Sequence, residues 1–104
     1  MINKTHKMNN TKKFVIVRCI NAGVHFGVLV STKGRTVKLK DSIRIWYWSG
    51  AASLSELAVY GPKTPQSCKF GVPVREITLL EACEIIVCDP AGAKAIKEVP
   101  SWRA

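Results

Sequence analysis

Between its first residue and Arg44 the chain has a single acidic side chain, Asp41, against ten Lys and Arg. The remainder, 45–104, carries six acids and six bases, so the whole net charge of +9 belongs to the first half. Such a one-sided basic surface concentrates anions near it: phosphates, nucleic acid, acidic proteins. A solvated basic face is the plainer reading of the same residues. Cys-x-x-Cys pairs are missing, and the two histidines, His6 and His25, stand far from cysteines 68, 83 and 88. That spacing excludes a zinc site of the usual kind. Four reduced and mostly buried thiols in a cytoplasmic protein are expected instead, without a Cys83–Cys88 disulfide. Long apolar runs are lacking too. The stretch from Phe14 is broken by Arg18, Asn21 and His25, which excludes a signal peptide and a membrane span. There are no repeats and no low-complexity segments.

Catalytic signatures are equally scarce. The sequence holds no Gly-x-Ser-x-Gly, His-Glu-x-x-His or Walker pattern. His25 is the one plausible base, and it lies in an expected strand with only Cys19 or Ser31 as candidate partners. Glu81 and Glu84 are three residues apart, which on a strand places them on opposite faces. No enzyme, metal or cofactor is expected.

What is present reads as one mainly β (α+β) domain over 14–104, preceded by a disordered basic arm over 1–13. A chain of 104 residues supplies one core of useful size. "FVIVRCI" is a β-branched run of strand length, and "VHFGVLVST" is a second strand after a turn at Gly23. Lys33–Gly34 makes a hairpin turn. In "RTVKLK" Val37 and Leu39 face inward while Thr36, Lys38 and Lys40 face out. Asp41–Ser42 breaks the run, and "IRIWYW" is a fourth strand. These strands form a small antiparallel sheet that closes or half-closes into a barrel, or packs on a helix. Ser53-Leu54-Ser55-Glu56 fits a capping box for a short helix over about 51–60, with Ser49 as a second possible cap. Gly61 and Pro62 end that helix. Three prolines and two glycines in "GPKTPQSCKFGVP" exclude regular structure there. "VREITLLEACEIIVCD" is one bent strand, or two strands bending near Glu81. Asp89 and Pro90 start a second short helix over about 90–98, which Gly92 weakens, and Trp102 anchors the tail.

The segment "RIWYWSGAAS" is the candidate site. Strand alternation sets Arg44, Trp46 and Trp48 on one face and Ile43, Ile45 and Tyr47 on the other. The isoleucine face belongs to the core. A guanidinium beside two indoles suits a planar anionic ligand, through stacking and charge together. Ser49, Gly50, Ala51 and Ser53 then open a helix whose N–H groups favour an anion. The bland alternative makes both tryptophans core and the small residues mere packing. Arg18, among Phe14, Ile16 and Ile20, either serves a ligand or forms an ion pair with Glu76 or Glu84. Lys33, Arg35, Lys38 and Lys40 offer a nucleic-acid surface as an alternative, or only a solvated face.

"NAGVHFGVL", "RIWYWSGAASLSELA", "CKF" and the closing "VPSW" resemble a family of small proteins of tailed phages and prophages, known only as a domain of unknown function. The resemblance covers roughly 14–103. It implies a phage origin and action in a bacterial cytoplasm, and it brings no site residues. The rhythm of "FGVLVSTKGRTVKLKDSIRI" is similar to small SH3-like and Sm-like barrels, an analogy of fold alone. Together these readings predict a homo-oligomeric, non-enzymatic protein that captures an anionic nucleotide-like ligand, in a phage as a counter-defence sink for a host signal. A nucleic-acid binder and an inhibitor docking on a host protein are the alternatives.

Overall fold

The computed structural model describes residues 12–104. The expected basic arm therefore lies almost wholly outside the described residues. At its end, the Lys13 carbonyl accepts from the Leu29 N–H at 2.9 Å.

The strands are β1 (Phe14–Cys19), β2 (Val24–Lys33), β3 (Thr36–Tyr47), β4 (Lys69–Phe70), β5 (Val74–Leu79) and β6 (Ala82–Val87). They form one antiparallel sheet in the order β4-β3-β2-β1-β6, with β5 also paired to β3. Helices α1 (Leu54–Tyr60) and α2 (Pro90–Lys97) complete a mainly β, α+β domain. Asp41–Ser42 does not break the third strand as its composition suggested. Asp41 takes a positive φ of 50°, and β2–β3 pairing shifts register between Phe26 and Val28. The pair of short strands is thus one long strand with a bulge, the local device that bends a sheet. Gly27 sits opposite the bend, where a Cβ would lie 3.0 Å from the Lys40 carbonyl and 3.2 Å from the Ser42 Cα.

This bend curls the sheet. Ala82 pairs with Cys19 at the end of β1, yet its N–H reaches the Arg35 carbonyl at the tip of the β2–β3 hairpin, at 3.0 Å. The hairpin tip has therefore folded back over β1. β5 and β6 lie on opposite sides of the sheet order, run in the same direction, and are joined only by Leu80–Glu81. They form a kinked continuation from one edge to the other.

Curling gives β1 two buried faces, which explains why "FVIVRC" is apolar without alternation. Val15, Val17 and Cys19 pack inside the curl with Val37, Leu39 and Leu79. Ile16 faces outward, with Phe26, Ile43 and Ile45, onto Leu57 and Ala58 of α1 and Ala93 and Ile96 of α2. Val37 and Leu39 are buried and Thr36 and Lys40 exposed, as the period of two predicts.

α1 is three residues shorter than its expected span. Residues 51–53 stay outside the helix, with Ser53 in an extended conformation whose Oγ accepts from the Glu56 N–H at 3.1 Å. The loop after Pro62 is more ordered than its prolines and glycines suggested. Pro65–Ser67 forms a 3₁₀ turn, and buried Phe70 pairs with Ile45 as part of β4. The tail then joins β4: Ser101 bridges to Phe70, and the Trp102 N–H donates to the Phe70 carbonyl at 2.8 Å.

All four cysteines are free thiols, with Cys19, Cys68 and Cys88 buried and Cys83 exposed. Burial, and then the negative charge of Asp89, push the Cys88 thiol up to about 11. A thiol held protonated is a poor nucleophile. Alkylation of the native protein at pH 8 is expected to label Cys83 first, with Cys88 protected until denaturant is added. Mass spectrometry of digests reads the order.

Candidate functional site

The site is built on β3. Its alternation sends Ile43 and Ile45 into the outer core and Ser42, Arg44 and Trp46 to the opposite face. Across the ladder from Arg44 stands His25 of β2. The Arg44 Nη1 donates to the Ala22 carbonyl at 2.7 Å, which fixes the guanidinium over the β1–β2 turn.

On the outer side of Arg44 lies a cleft of about 440 Å³. Trp46 and Trp102 line it, with Arg103, Gly71 and Val72. Both indoles are largely open to solvent, Trp46 at 64% and Trp102 at 49%. Lys69 adds an ammonium 5.2 Å from the Trp102 ring. Exposed indoles beside guanidiniums are a stacking surface for a flat, negatively charged molecule.

On the inner side is a chamber of about 260 Å³ that shares Arg44, Gly71 and Val72 with the cleft. His25 and Ser42 line it, with Val74 and Ile77. His25 is wholly buried. Its Nε2 lies 2.9 Å from the Ala22 carbonyl, an acceptor only, so Nε2 carries the hydrogen of the neutral ring. Burial lowers the imidazole below its ordinary 6.5; the Ala22 carbonyl opposes this and the Arg44 charge adds to it.

The other expected site residues are not brought to this cleft. β3–β4 pairing shifts register between Ile45 and Tyr47, so the alternation slips by one residue there. Trp48 therefore leaves the aromatic face, packs against the outer core and donates its indole N–H to the Ala51 carbonyl at 3.2 Å. Tyr47 is exposed instead of sharing the isoleucines' burial. Ser49 Oγ accepts from Thr64 Oγ1 at 2.9 Å, and Gly50 packs against Lys63 and Thr64. Ser53 serves α1 as its cap, while Glu56 Oε1 accepts from the Ala52 N–H at 2.8 Å. The helix start is thus closed by its own hydroxyl and by a carboxylate, which disfavours a bound anion. Arg18 pairs with Glu84 at 2.9 Å across β1–β6, and that hydrogen bond raises its pKa. Lys38 pairs with Glu76 at 3.5 Å. Lys33 and Arg35 are exposed at the hairpin tip, and Lys40 is exposed farther along β3, beside the bulge.

His25, Ser42, Gly71, Val72, Trp102 and Arg103 are the site residues that sequence reasoning missed. In sequence His25 suggests only a base. Its signal was its place opposite the core residues Val24 and Phe26. A second cleft, of about 450 Å³, lies between Phe14, Cys88 and α2, with Lys12, Lys13 and Lys97 beside it. Lys97 already covers the Phe14 ring at 4.3 Å. That cleft is slightly larger but is lined by no indole, so the Arg44 cleft, lined by two, is the stronger candidate. Among the described residues no three His, Cys, Asp or Glu gather to hold a metal ion, and no helix is long and apolar enough to cross a membrane.

Fold and site define a class: a small curled β domain, helices on its outer face, with a cationic and aromatic cleft on the other. The family described as a domain of unknown function (DUF6948) matches residues 12–96, and the chain belongs to it. The matched span stops short of Trp102 and Arg103, the far wall of the cleft. No curated protein and no solved structure matches the chain.

Proposed function

We propose that this domain is a non-enzymatic binding protein that captures a planar, anionic, nucleotide-like ligand between Trp46 and Trp102. One observation carries the reading: two exposed indoles and two arginines, Arg44 and Arg103, border one cleft. The rings supply stacking and the arginines neutralise phosphate. The phage origin and cytoplasmic action implied by the resemblance would make the ligand a host nucleotide signal and the role sequestration. That step rests on context, not on residues.

Titration with AMP, GMP, CMP and UMP, followed by tryptophan emission, tests the reading. Saturable quenching is expected for at least one nucleotide. A flat response to all four overturns it in favour of docking on a protein through the same aromatics. Binding to long single strands that collapses with salt, as many phosphate contacts require, would favour the nucleic-acid reading through Lys33, Arg35 and Lys40.

The proposal includes self-association. Among the described residues β6 pairs only with β1, and it carries exposed Ile85 and Val87. Such an edge is ordinarily covered, and symmetric pairing is the common cover. Sedimentation at tens of micromolar, roughly the range of ordinary interface affinities, is expected to show a dimer or larger species. A monomer would contradict this part.

A further inference from the structure

We infer that the chamber beneath Arg44 is the specificity end of the nucleotide site, and that His25 Nδ1 there accepts a hydrogen bond from an uncharged hydroxyl or ring N–H of the ligand. The inference rests on the binding reading above and deepens it.

It starts from two anomalies in one place. Among the described residues, His25 and Ser42 are the two buried polar ones, at 0% and 1% exposure. Both line the same chamber, and among the described residues neither His25 Nδ1 nor Ser42 Oγ has a hydrogen-bond partner. Buried polar atoms left unmade are costly, and native structures keep few of them without a reason. Two in a single cavity mark a place where something polar belongs.

The chemistry of that partner follows from the ring. Nε2 is committed to the Ala22 carbonyl, so the neutral imidazole presents only a lone pair at Nδ1. Burial and the neighbouring Arg44 charge keep the ring neutral. A lone pair repels phosphate and carboxylate oxygens, so the anion stays with the arginines outside. It selects a donor. Ser42 Oγ can donate or accept and tolerates either neighbour. Val74 and Ile77 make the remaining wall apolar, which strengthens a hydrogen bond formed there.

Size and continuity fit a piece of a ligand better than one water. The chamber's volume of about 260 Å³ far exceeds a water's share of about 30 Å³. Its walls at Arg44, Gly71 and Val72 are also walls of the indole cleft. Neither polar atom is open to solvent in the unliganded domain, so a ribose hydroxyl, or the N–H edge of a base, on a ring held by Trp46 and Trp102 reaches His25 only as the exposed Arg44 side chain moves aside.

The test uses the full chain labelled with ¹⁵N. The probes are AMP and GMP, their 2′-deoxy forms, N6,N6-dimethyl-AMP and 1-methyl-GMP. Imidazole ¹⁵N spectra should show His25 with an unprotonated Nδ1, whose resonance shifts on addition of AMP or GMP. Either the 2′-deoxy or the methylated probe should bind about tenfold more weakly and leave Nδ1 unmoved, which identifies the donor as hydroxyl or base. Ser42→Ala should weaken the intact nucleotide and leave the donor-lacking probe unchanged. If all probes bind alike with Nδ1 unmoved, the chamber inference is wrong while the binding reading stands. If none binds, both fall.

Discussion

Gly92→Ala is expected to destabilise the domain by about 2–3 kcal/mol, the cost of forcing a methyl group into a packed contact. The expected sign opposes the helix propensity, which alone would favour alanine over glycine by about 1 kcal/mol. The reason is the crossing of α1 and α2. A Cβ on Gly92 would overlap the Ala58 carbonyl, a backbone atom that cannot swing aside. That carbonyl is also engaged. Its ordinary helical partner would be the N–H of residue 62, but Pro62 has none. The Asp89 N–H supplies the bond instead, at 3.1 Å. Separating the helices to admit a methyl group would therefore loosen this bond and expose Ala58, Ala93 and Ile96. The midpoint of urea unfolding measures the effect. An unchanged or higher midpoint would show that the helices part without cost.

The second large effect separates two adjacent residues. Ile45→Ala is expected to lose about 2–5 kcal/mol, because it removes a side chain 3% exposed from the outer core. Set against a total stability of about 5–15 kcal/mol, this is a large share. Arg44→Ala is expected to leave the midpoint nearly unchanged. Its side chain is exposed and makes one hydrogen bond, to Ala22. That variant should instead lose the nucleotide response by tenfold or more, since charge-assisted contacts to phosphate are among the stronger ones. Thermal melts and emission titrations on both proteins read the contrast. Equal destabilisation of the two would show that Arg44 is structural.

That contrast was legible in the sequence, because strand alternation is a local property. The same holds for Val37 and Leu39, for the Ser53–Glu56 cap and for the start of α2 at Pro90. Asp89 sits at the expected cap position, although its side chain makes no capping bond. What could not be read depended on the curl. The bulge at Asp41 lets β3 continue, and only the bent sheet brings Ala82 to Arg35. Trp48 and Tyr47 depart from strict alternation because the β3–β4 pairing slips between Ile45 and Tyr47, an irregularity that no local pattern announces. Trp102 reads from sequence only as a tail anchor, since nothing near it in sequence shows that the tail lies along Phe70. Gly92 was read as a weakness of its helix, because its contact is with a distant segment. Arg18 found the structural partner named for it, Glu84. The anion site expected at residues 49–53 was opposed by Glu56, the very residue that made the capping box recognisable.

The most direct measurement is chemical-shift mapping of the full chain with AMP and GMP. The account predicts that the indole N–H signals of Trp46 and Trp102 and the amides of Arg44 and Gly71 move together and saturate. The signals of Ser49–Ser53 and of the Lys33–Arg35 tip should stay in place. Saturable shifts confined to residues 49–53 or to the hairpin tip, with both indoles unmoved, would contradict it.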